Sequence, residues 1–220
     1  MHRTPTQITN QLRLARLFKT WAVSFLFAAL LVWFCLRHID VLIATRFLGN
    51  LDRLEPIGRG LGSGLLVSGE TFVISALALR RVFVGYLSQR SKSLFVATSA
   101  SLSAFAVNDY VLKVVFGRLN PKAYFSIHDP HLFHLFDGNS QSSFPSGHMV
   151  LATAFLVSIV RLDTRASPWL LLLLGVAALA LIVGDWHFVS DTLAGMFVGG
   201  SAGLLASELW LASLSRSFFP

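Results

Sequence analysis

Six apolar runs, separated by polar segments, constrain the fold of this chain more than any other feature of its sequence. A helix that spans a membrane needs about 20 largely apolar residues, so flanking residues must complete the shorter runs. With a mean hydropathy of +0.65, the chain is more apolar than soluble domains are. The sequence therefore predicts an all-α membrane bundle of about six transmembrane helices in one domain, residues 1–220. The runs are 21–36, 61–79, 94–112, 149–160, 169–183 and 192–211.

The first 20 residues are basic, with Arg3, Arg13, Arg16 and Lys19 and no acidic residue. This composition is compatible with a short interfacial helix, but it favours a basic cytoplasmic tail. The apolar run that follows lacks a small-x-small cleavage site before Asp40, so we expect a retained membrane helix rather than a signal peptide.

The distribution of Lys and Arg predicts the orientation in the membrane. With the N-terminus inside, the inner segments hold eleven of the 18 basic residues, the bias that is typical of cytoplasmic loops. Both termini are then cytoplasmic. The loop 113–148 and the turn around His187 are expected on the same outer side, and we expect the membrane to be a bacterial inner membrane. The formal charge of +7 is explained by this topology, and we expect no nucleic-acid partner.

Two polar segments of the outer loop contain groups suited to an anion. Lys113 supplies a point charge, and Arg118 supplies a planar fork that can hold two phosphate oxygens. At the start of the fourth run, the Ser146 hydroxyl and the amides around Gly147 would complete a cradle at a helix N-terminus. Together they predict a phosphate-binding site.

A third polar segment adds a nucleophile. His187 and Asp191 are four residues apart, so they share one face of a helix. An aspartate that accepts from one imidazole nitrogen leaves the other nitrogen free to attack phosphorus. His148 is then available to protonate the departing oxygen. Each residue alone also fits a role at the membrane boundary, but their occurrence on one side favours phosphoryl chemistry.

These segments resemble the type 2 phosphatidic acid phosphatases (PAP2), which share an active site with vanadium haloperoxidases and glucose-6-phosphatase. The family pattern is Lys-x6-Arg-Pro, Pro-Ser-Gly-His and Ser-Arg-x5-His-x3-Asp, and the resemblance covers about residues 90–200. It implies that His187 is the nucleophile, Asp191 its orienting partner and His148 the general acid. It also implies that the phosphate is bound by Lys113, Ser146 and Gly147.

Two positions depart from that pattern. Asn120 stands where the family has the arginine before Pro121, and Leu181 stands where it has the second arginine. Arg118 is expected to replace the first, because Gly-Arg is also common at this point in the family. Losing one charged ligand of the transition state costs about 2–4 kcal/mol if nothing compensates.

The sequence thus predicts an integral membrane lipid phosphatase that hydrolyses a phosphomonoester or diphosphate at the outer leaflet through a phosphohistidine, without metal or other cofactor. Its partners would be the membrane and a lipid phosphate. The head group stays open among phosphatidate, phosphatidylglycerophosphate, polyprenyl diphosphate and a phosphorylated glycolipid. Alternatives are a phosphotransferase that uses the same site and a non-catalytic lipid-binding or lipid-moving protein, which Leu181 and Asn120 motivate.

The remaining polar residues carry weaker expectations. His128, His131 and His134 lie in an aromatic loop, 124–137, that favours an interfacial lid over a metal site. Residues 41–48 are expected to form a helix on the outer surface. Structural hydrogen bonding is expected of the acids within or beside the apolar runs and of one loop acid: Glu70, Asp109, Glu208 and Asp185.

Overall fold

The computed structural model describes residues 5–49, 63–127, 131–139, 141–162 and 167–216. Helices dominate these residues, and the only β pairing among them consists of two isolated bridges, Arg118 with Phe133 and Leu119 with Ser142. The all-α prediction is confirmed. The helices are α1 (Pro5–His38), α2 (Asp40–Phe47), α3 (Ser63–Val84), α4 (Gln89–Val107), a π-helical turn (Asn108–Leu112), α5 (Lys113–Phe116), α6 (Pro121–Ile127), α7 (Gly147–Leu162), α8 (Ser167–Val183) and α9 (Val189–Arg216).

The predicted apolar runs coincide with helices, apart from residues 61–62, which lie outside the described part of the chain. Within the described residues, three helical segments are long and apolar enough to cross a membrane: Ala15–His38, Gln89–Phe116 and Val189–Leu214. Helix α7 and residues Trp169–Val183 of α8 are apolar but shorter. The protein is therefore a membrane protein by its helices, and the count of six spans stays a prediction.

The basic N-terminal segment is helical from Pro5, because helix α1 continues without a break from there to His38. The physical reason is that no glycine or proline follows Pro5 within the helix, and proline at the first helical position is itself favourable. The location of this segment on the cytoplasmic side stays a prediction. A helix near residues 41–48 was expected and is present as α2, directly after α1; its location on the outer surface stays a prediction.

Helices α7 and α9 pack closely because α9 presents glycine at every fourth position, as in the small-residue interfaces of membrane helices. A Cβ added at Gly195 would lie 2.6 Å from the carbonyl oxygen of Ser146, and one at Gly199 would collide with the carbonyl oxygen of Val150. Gly203 continues the series. This close approach brings the N-terminal ends of the two helices together.

The other helices surround this pair. Helix α4 packs against both α7 and α9, with buried Ala104 against Val150. Helix α1 packs against α9, where the Trp21 indole donates to the Ser201 hydroxyl at 2.9 Å. The acids of the apolar helices have partners: the Ser101 hydroxyl donates to Glu70 at 2.9 Å. Arg161 Nε likewise donates to Glu208 at 2.8 Å.

Candidate active site

The site begins where the N-terminal ends of α7 and α9 meet. The backbone N–H of Ser146 donates to the carbonyl oxygen of Asp191 at 3.0 Å, which ties the two helix starts together. Ser146 is fully buried at the N-cap of α7, and its Oγ lies 3.5 Å from the backbone nitrogen of Met149. A Cβ at Gly147 would lie 2.9 Å from the Phe105 ring, so glycine at this position lets that ring pack directly against the helix start.

The two predicted histidines are neighbours at this junction, in an edge-to-face arrangement. Their ring centroids are 5.8 Å apart, with an interplanar angle of 73°. His148 is half-buried on the first turn of α7, whereas His187 is buried just before α9. His187 Nδ1 lies 3.6 Å from Asp191 Oδ2, which leaves Nε2 as the nitrogen directed away from the carboxylate. This distance is longer than a hydrogen bond, as is common for catalytic pairs when no substrate is bound.

Asp191 is fully buried and held by several donors. Its Oδ2 accepts the backbone N–H of Phe188 at 2.9 Å, and its Oδ1 accepts from Arg118 Nη1. The same Arg118 nitrogen also donates to the Ser190 hydroxyl at 2.6 Å. The carboxylate behind His187 is therefore fixed in position by contacts with both the backbone and a guanidinium.

Asp40, at the start of α2, completes this buried network. Arg118 Nη2 donates to Asp40 Oδ2 at 2.7 Å, and the backbone N–H of Ser190 donates to Asp40 Oδ1 at 3.0 Å. The Ser190 hydroxyl also donates to Oδ2. Sequence reasoning missed Asp40 and Ser190, because one aspartate in a polar connection carries no spacing signal. The network places one guanidinium between two carboxylates, Asp40 and Asp191, at a site without exposed surface.

Arg118 lies inside this network, and its expected role in binding phosphate stays a prediction. Its side chain is 0% exposed, and Nη1 and Nη2 both donate to groups of the network. Three aromatic rings also enclose the guanidinium carbon, the nearest being Phe188 at 4.1 Å from the ring centroid, with Phe133 and Phe144 further out. Both terminal nitrogens of the guanidinium are thus engaged inside the protein, where they contact the carboxylates of Asp40 and Asp191.

Lys113 remains near the cradle. It begins α5, and its Nζ forms an ion pair of 2.6 Å with Asp109 Oδ1. That same oxygen would lie 3.4 Å from a Cβ on Gly147, so the pair is adjacent to the start of α7. Lys113 also lines a cavity of about 310 Å³ with Asn139 and Ser142. The structure brings Lys113, Ser146, Gly147, His148, His187 and Asp191 into one region.

The two positions at which the family pattern has an arginine, Asn120 and Leu181, carry no positive charge in this chain. Asn120 caps α6: its Oδ1 accepts the backbone N–H of Ala123 at 2.9 Å, and its Nδ2 donates to Gln141 Oε1 at 2.9 Å. Leu181 lies in α8 and lines an apolar cavity of about 280 Å³ that His148 also lines. The missing family side chains are thus replaced by a helix cap and by a hydrocarbon surface.

The loop before α9 is tied to α2. Asp185, with φ of +58°, accepts the backbone N–H of Gly49 at 2.9 Å through Oδ2, in agreement with its predicted loop hydrogen-bonding role. This contact fixes the turn that carries the next two residues, Trp186 and His187. Helix α2 and the residue after its C-terminal cap therefore contact the site at two places.

The histidine-rich loop is only partly described. The rings of His131 and His134 have centroids 6.4 Å apart, whereas His128 lies outside the described residues. Within the residues that the structure covers, no group of three His, Cys, Asp or Glu side chains is arranged to hold a metal ion. Leu135 and Phe136 of this loop are exposed, and the interfacial lid stays a prediction.

The sequence profile of the PAP2 superfamily matches residues 92–213, more than half of the chain. Comparison with curated proteins and with solved structures gave no match. The matched segment contains the Lys113, Pro145–His148 and His187–Asp191 motifs, and members of the superfamily are generally phosphatases. The chain therefore belongs to the PAP2 superfamily and is a membrane protein of phosphatase type.

Proposed function

We propose that this protein is a membrane phosphatase that hydrolyses a lipid phosphomonoester or diphosphate at the outer leaflet, with His187 as the nucleophile and no metal. One observation carries the proposal: His148 and His187 lie next to each other with ring centroids 5.8 Å apart, while the Asp191 carboxylate lies behind His187. A phosphoryl group bound beside both rings would have a nucleophile and an acid within reach.

In the first step His187 Nε2 attacks phosphorus and forms a P–N bond. The bond from phosphorus to the leaving oxygen breaks, and protonated His148 gives its proton to that oxygen, which departs as an alcohol or a lipid phosphate. Asp191 stabilises the positive charge that develops on the phosphorylated imidazole and keeps Nδ1 protonated. The Arg118 network holds Asp191 in the orientation that this requires.

The negative oxygens of the phosphoryl group would face the start of α7. Backbone N–H groups at Gly147 and His148 point out of the helix N-terminus, where the helix dipole favours an anion. Lys113 adds a positive charge next to this helix start when it exchanges Asp109 for phosphate. These groups would stabilise the transition state, in which charge accumulates on the transferring oxygens.

In the second step His148, now neutral, takes a proton from water as the water oxygen attacks phosphorus. The P–N bond breaks, inorganic phosphate leaves, and His187 returns to its starting form. The same residue thus acts as acid and then as base, as expected when water replaces the leaving alcohol. The lipid substrate and the outer leaflet are supported by the apolar helices and by the inner bias of basic residues.

The test measures phosphate release from phosphatidate, a polyprenyl diphosphate and a glycolipid phosphate by purified protein in detergent. We expect His187→Ala to lose activity to background, whereas His131→Ala, a histidine variant outside the site, retains it. A His187→Ala variant with wild-type activity would exclude the mechanism. Substrate binding without turnover would support the non-catalytic alternative, and phosphoryl transfer without inorganic phosphate would indicate a phosphotransferase.

Two further measurements address the chemistry of the intermediate. Activity that persists in EDTA is expected, and its loss would direct attention to a metal at His131 and His134. Rapid quenching of the turning-over enzyme should trap a phosphoenzyme that is stable to alkali and labile to acid, as phosphohistidine is. A phosphoenzyme with the opposite stability would place the covalent bond on an oxygen instead.

A further inference from the structure

An apolar cavity of about 280 Å³ lies directly beside His148. Side chains from α3, α7 and α8 and from the loop before α9 form its walls, and all of them except His148 present mainly hydrocarbon or aromatic surface. The main lining residues are Leu66, His148, Met149, Ala177, Leu181 and Trp186.

The composition of the walls decides which occupant the cavity favours. A hydroxyl or ester group placed there would lose hydrogen bonds to water without gaining equivalent partners. Methylene groups would be stabilised by leaving water and by contact with the walls. Leu181 is decisive, because the family pattern has an arginine at this position and an arginine would place a charge in the same space. With leucine, the cavity favours hydrocarbon.

The position of the cavity identifies which part of a substrate would enter it. In the proposed reaction His148 donates its proton to the leaving oxygen, so the atoms attached to that oxygen lie on the His148 side of phosphorus. The Trp186 ring, 6.2 Å from the His148 ring by centroid, forms another wall at this point. The cavity is thus placed for the first carbons of the leaving group.

The cavity also borders exposed apolar surface on α3, which would face lipid if α3 spans the membrane. Leu66 on α3 is 42% exposed, and Leu65 beside it is 55% exposed. A hydrocarbon chain held against Leu66 would pass from the lipid to His148 along apolar side chains. Its path would not require transfer of the chain through water, which costs about 0.8 kcal/mol for each methylene group exposed.

We propose that this cavity is the leaving-group subsite, and that it selects phosphate monoesters whose oxygen is attached directly to a hydrocarbon chain, such as an alkyl or isoprenyl phosphate. Substrates with a glycerol or sugar unit at the leaving oxygen would be disfavoured, and Leu181 would be the residue that determines this preference. The inference rests on the proposed function, because it uses the role of His148 as the general acid.

The experiment compares two substrates that carry the same decyl chain. One is decyl phosphate, and the other is 1-O-decyl-glycerol 3-phosphate, which places a polar glycerol unit at the leaving oxygen. Burial of two methylene groups corresponds to roughly tenfold in an equilibrium constant, so we expect kcat/KM for decyl phosphate to be higher by about tenfold. Equal kcat/KM values for the two substrates would overturn the subsite and leave the phosphatase proposal intact.

Variants of α8 test the residue assignment. Leu181→Phe, which fills the cavity, should lower kcat/KM for decyl phosphate about tenfold and so remove its advantage over the glycerol substrate. Leu181→Arg should reduce or reverse the preference. The matched control is Leu179→Phe, because Leu179 is 62% exposed on the same helix and is not among the cavity residues. A Leu181→Phe variant that slows both substrates equally would contradict the assignment.

A binding measurement keeps the inference testable if the protein shows no turnover, an outcome that by itself would count against the proposed function. Decyl phosphate brominated near its phosphate end should quench the fluorescence of Trp186, because bromine quenches tryptophan on contact. We expect saturable quenching in the wild type that is absent from Trp186→Phe and from Leu181→Phe. Identical quenching in the wild type and in Trp186→Phe would show that the chain does not enter the cavity.

Discussion

Replacement of Asp40 by asparagine is the sharpest test of the buried network. The two carboxylate oxygens of Asp40 accept from three donors: Arg118 Nη2, the Ser190 backbone N–H and the Ser190 hydroxyl. An asparagine amide has the same shape but only one oxygen. Whichever way the amide is turned, its NH2 group points at a donor in a place with almost no exposed surface.

The expected loss in the free energy of unfolding of Asp40→Asn follows from the burial of these groups. Leaving a buried polar group unsatisfied costs about 1–3 kcal/mol, and removing one charge of a buried ion pair costs about 3–5 kcal/mol. Because the Asp40 and Arg118 side chains are both 0% exposed, solvent does not screen their interaction, and the larger range applies. By the scaling for domains of this size, about 3–5 kcal/mol lowers Tm by roughly 6–20 °C.

The assay combines thermal unfolding in detergent with phosphate release at a temperature where the variant is folded. We expect Asp40→Asn to lower kcat through the altered position of Asp191, with KM nearly unchanged, since Asp40 lies behind the site. Asp137→Asn is the matched control, because Asp137 is exposed and such substitutions change stability by about 0.5 kcal/mol or less. If Asp40→Asn keeps the wild-type Tm and kcat, the network neither stabilises the fold nor positions Asp191.

Three further predictions use the same assays. Gly199→Ala should lower the unfolding temperature, because the added Cβ would collide with the backbone of α7. Gly200→Ala is the control: the atom nearest to its added Cβ would be 3.6 Å away. Because alanine is about 1 kcal/mol more favourable than glycine in a helix, this variant should leave the unfolding temperature unchanged or raise it. Asn120→Ala should cost about 1 kcal/mol in chemical unfolding through loss of the α6 cap, and an unchanged midpoint would contradict that role. Lys113→Met should raise KM for the phosphate substrate several-fold while the protein stays folded, and an unchanged KM would remove Lys113 from phosphate binding.

The helices and the motif residues were predictable because their signals are local. Apolar runs determine where helices form in a membrane protein, and the spacing of His187 and Asp191 determines that they share a helix face. The close approach of α7 and α9 also has a local signal, since Gly195, Gly199 and Gly203 recur at every fourth residue. The charge pattern of residues 5–20 is compatible with both a tail and a helix, and the helix forms because no glycine or proline follows Pro5 within α1.

The direction in which the Arg118 side chain points was not predictable from the sequence. Its spacing from Lys113 indicates that it lies near the cradle, but its guanidinium turns toward Asp40 and is enclosed by rings from three separate segments. Gly117, with φ of +54°, ends α5 directly before it and reverses the chain. Those contacts form only when α2 packs near the start of α9, which no local pattern encodes.

The connection of α2 to the site has a consequence for protein engineering. Asp40 and Gly49 both precede the segment that matches the family, yet they bind Arg118 and Asp185 within it. A chimera that exchanges only residues 92–213 with a relative would separate Arg118 from one of its two counterions. Such exchanges should preserve function only when an acidic residue equivalent to Asp40 is transferred along with the matched segment that carries Arg118.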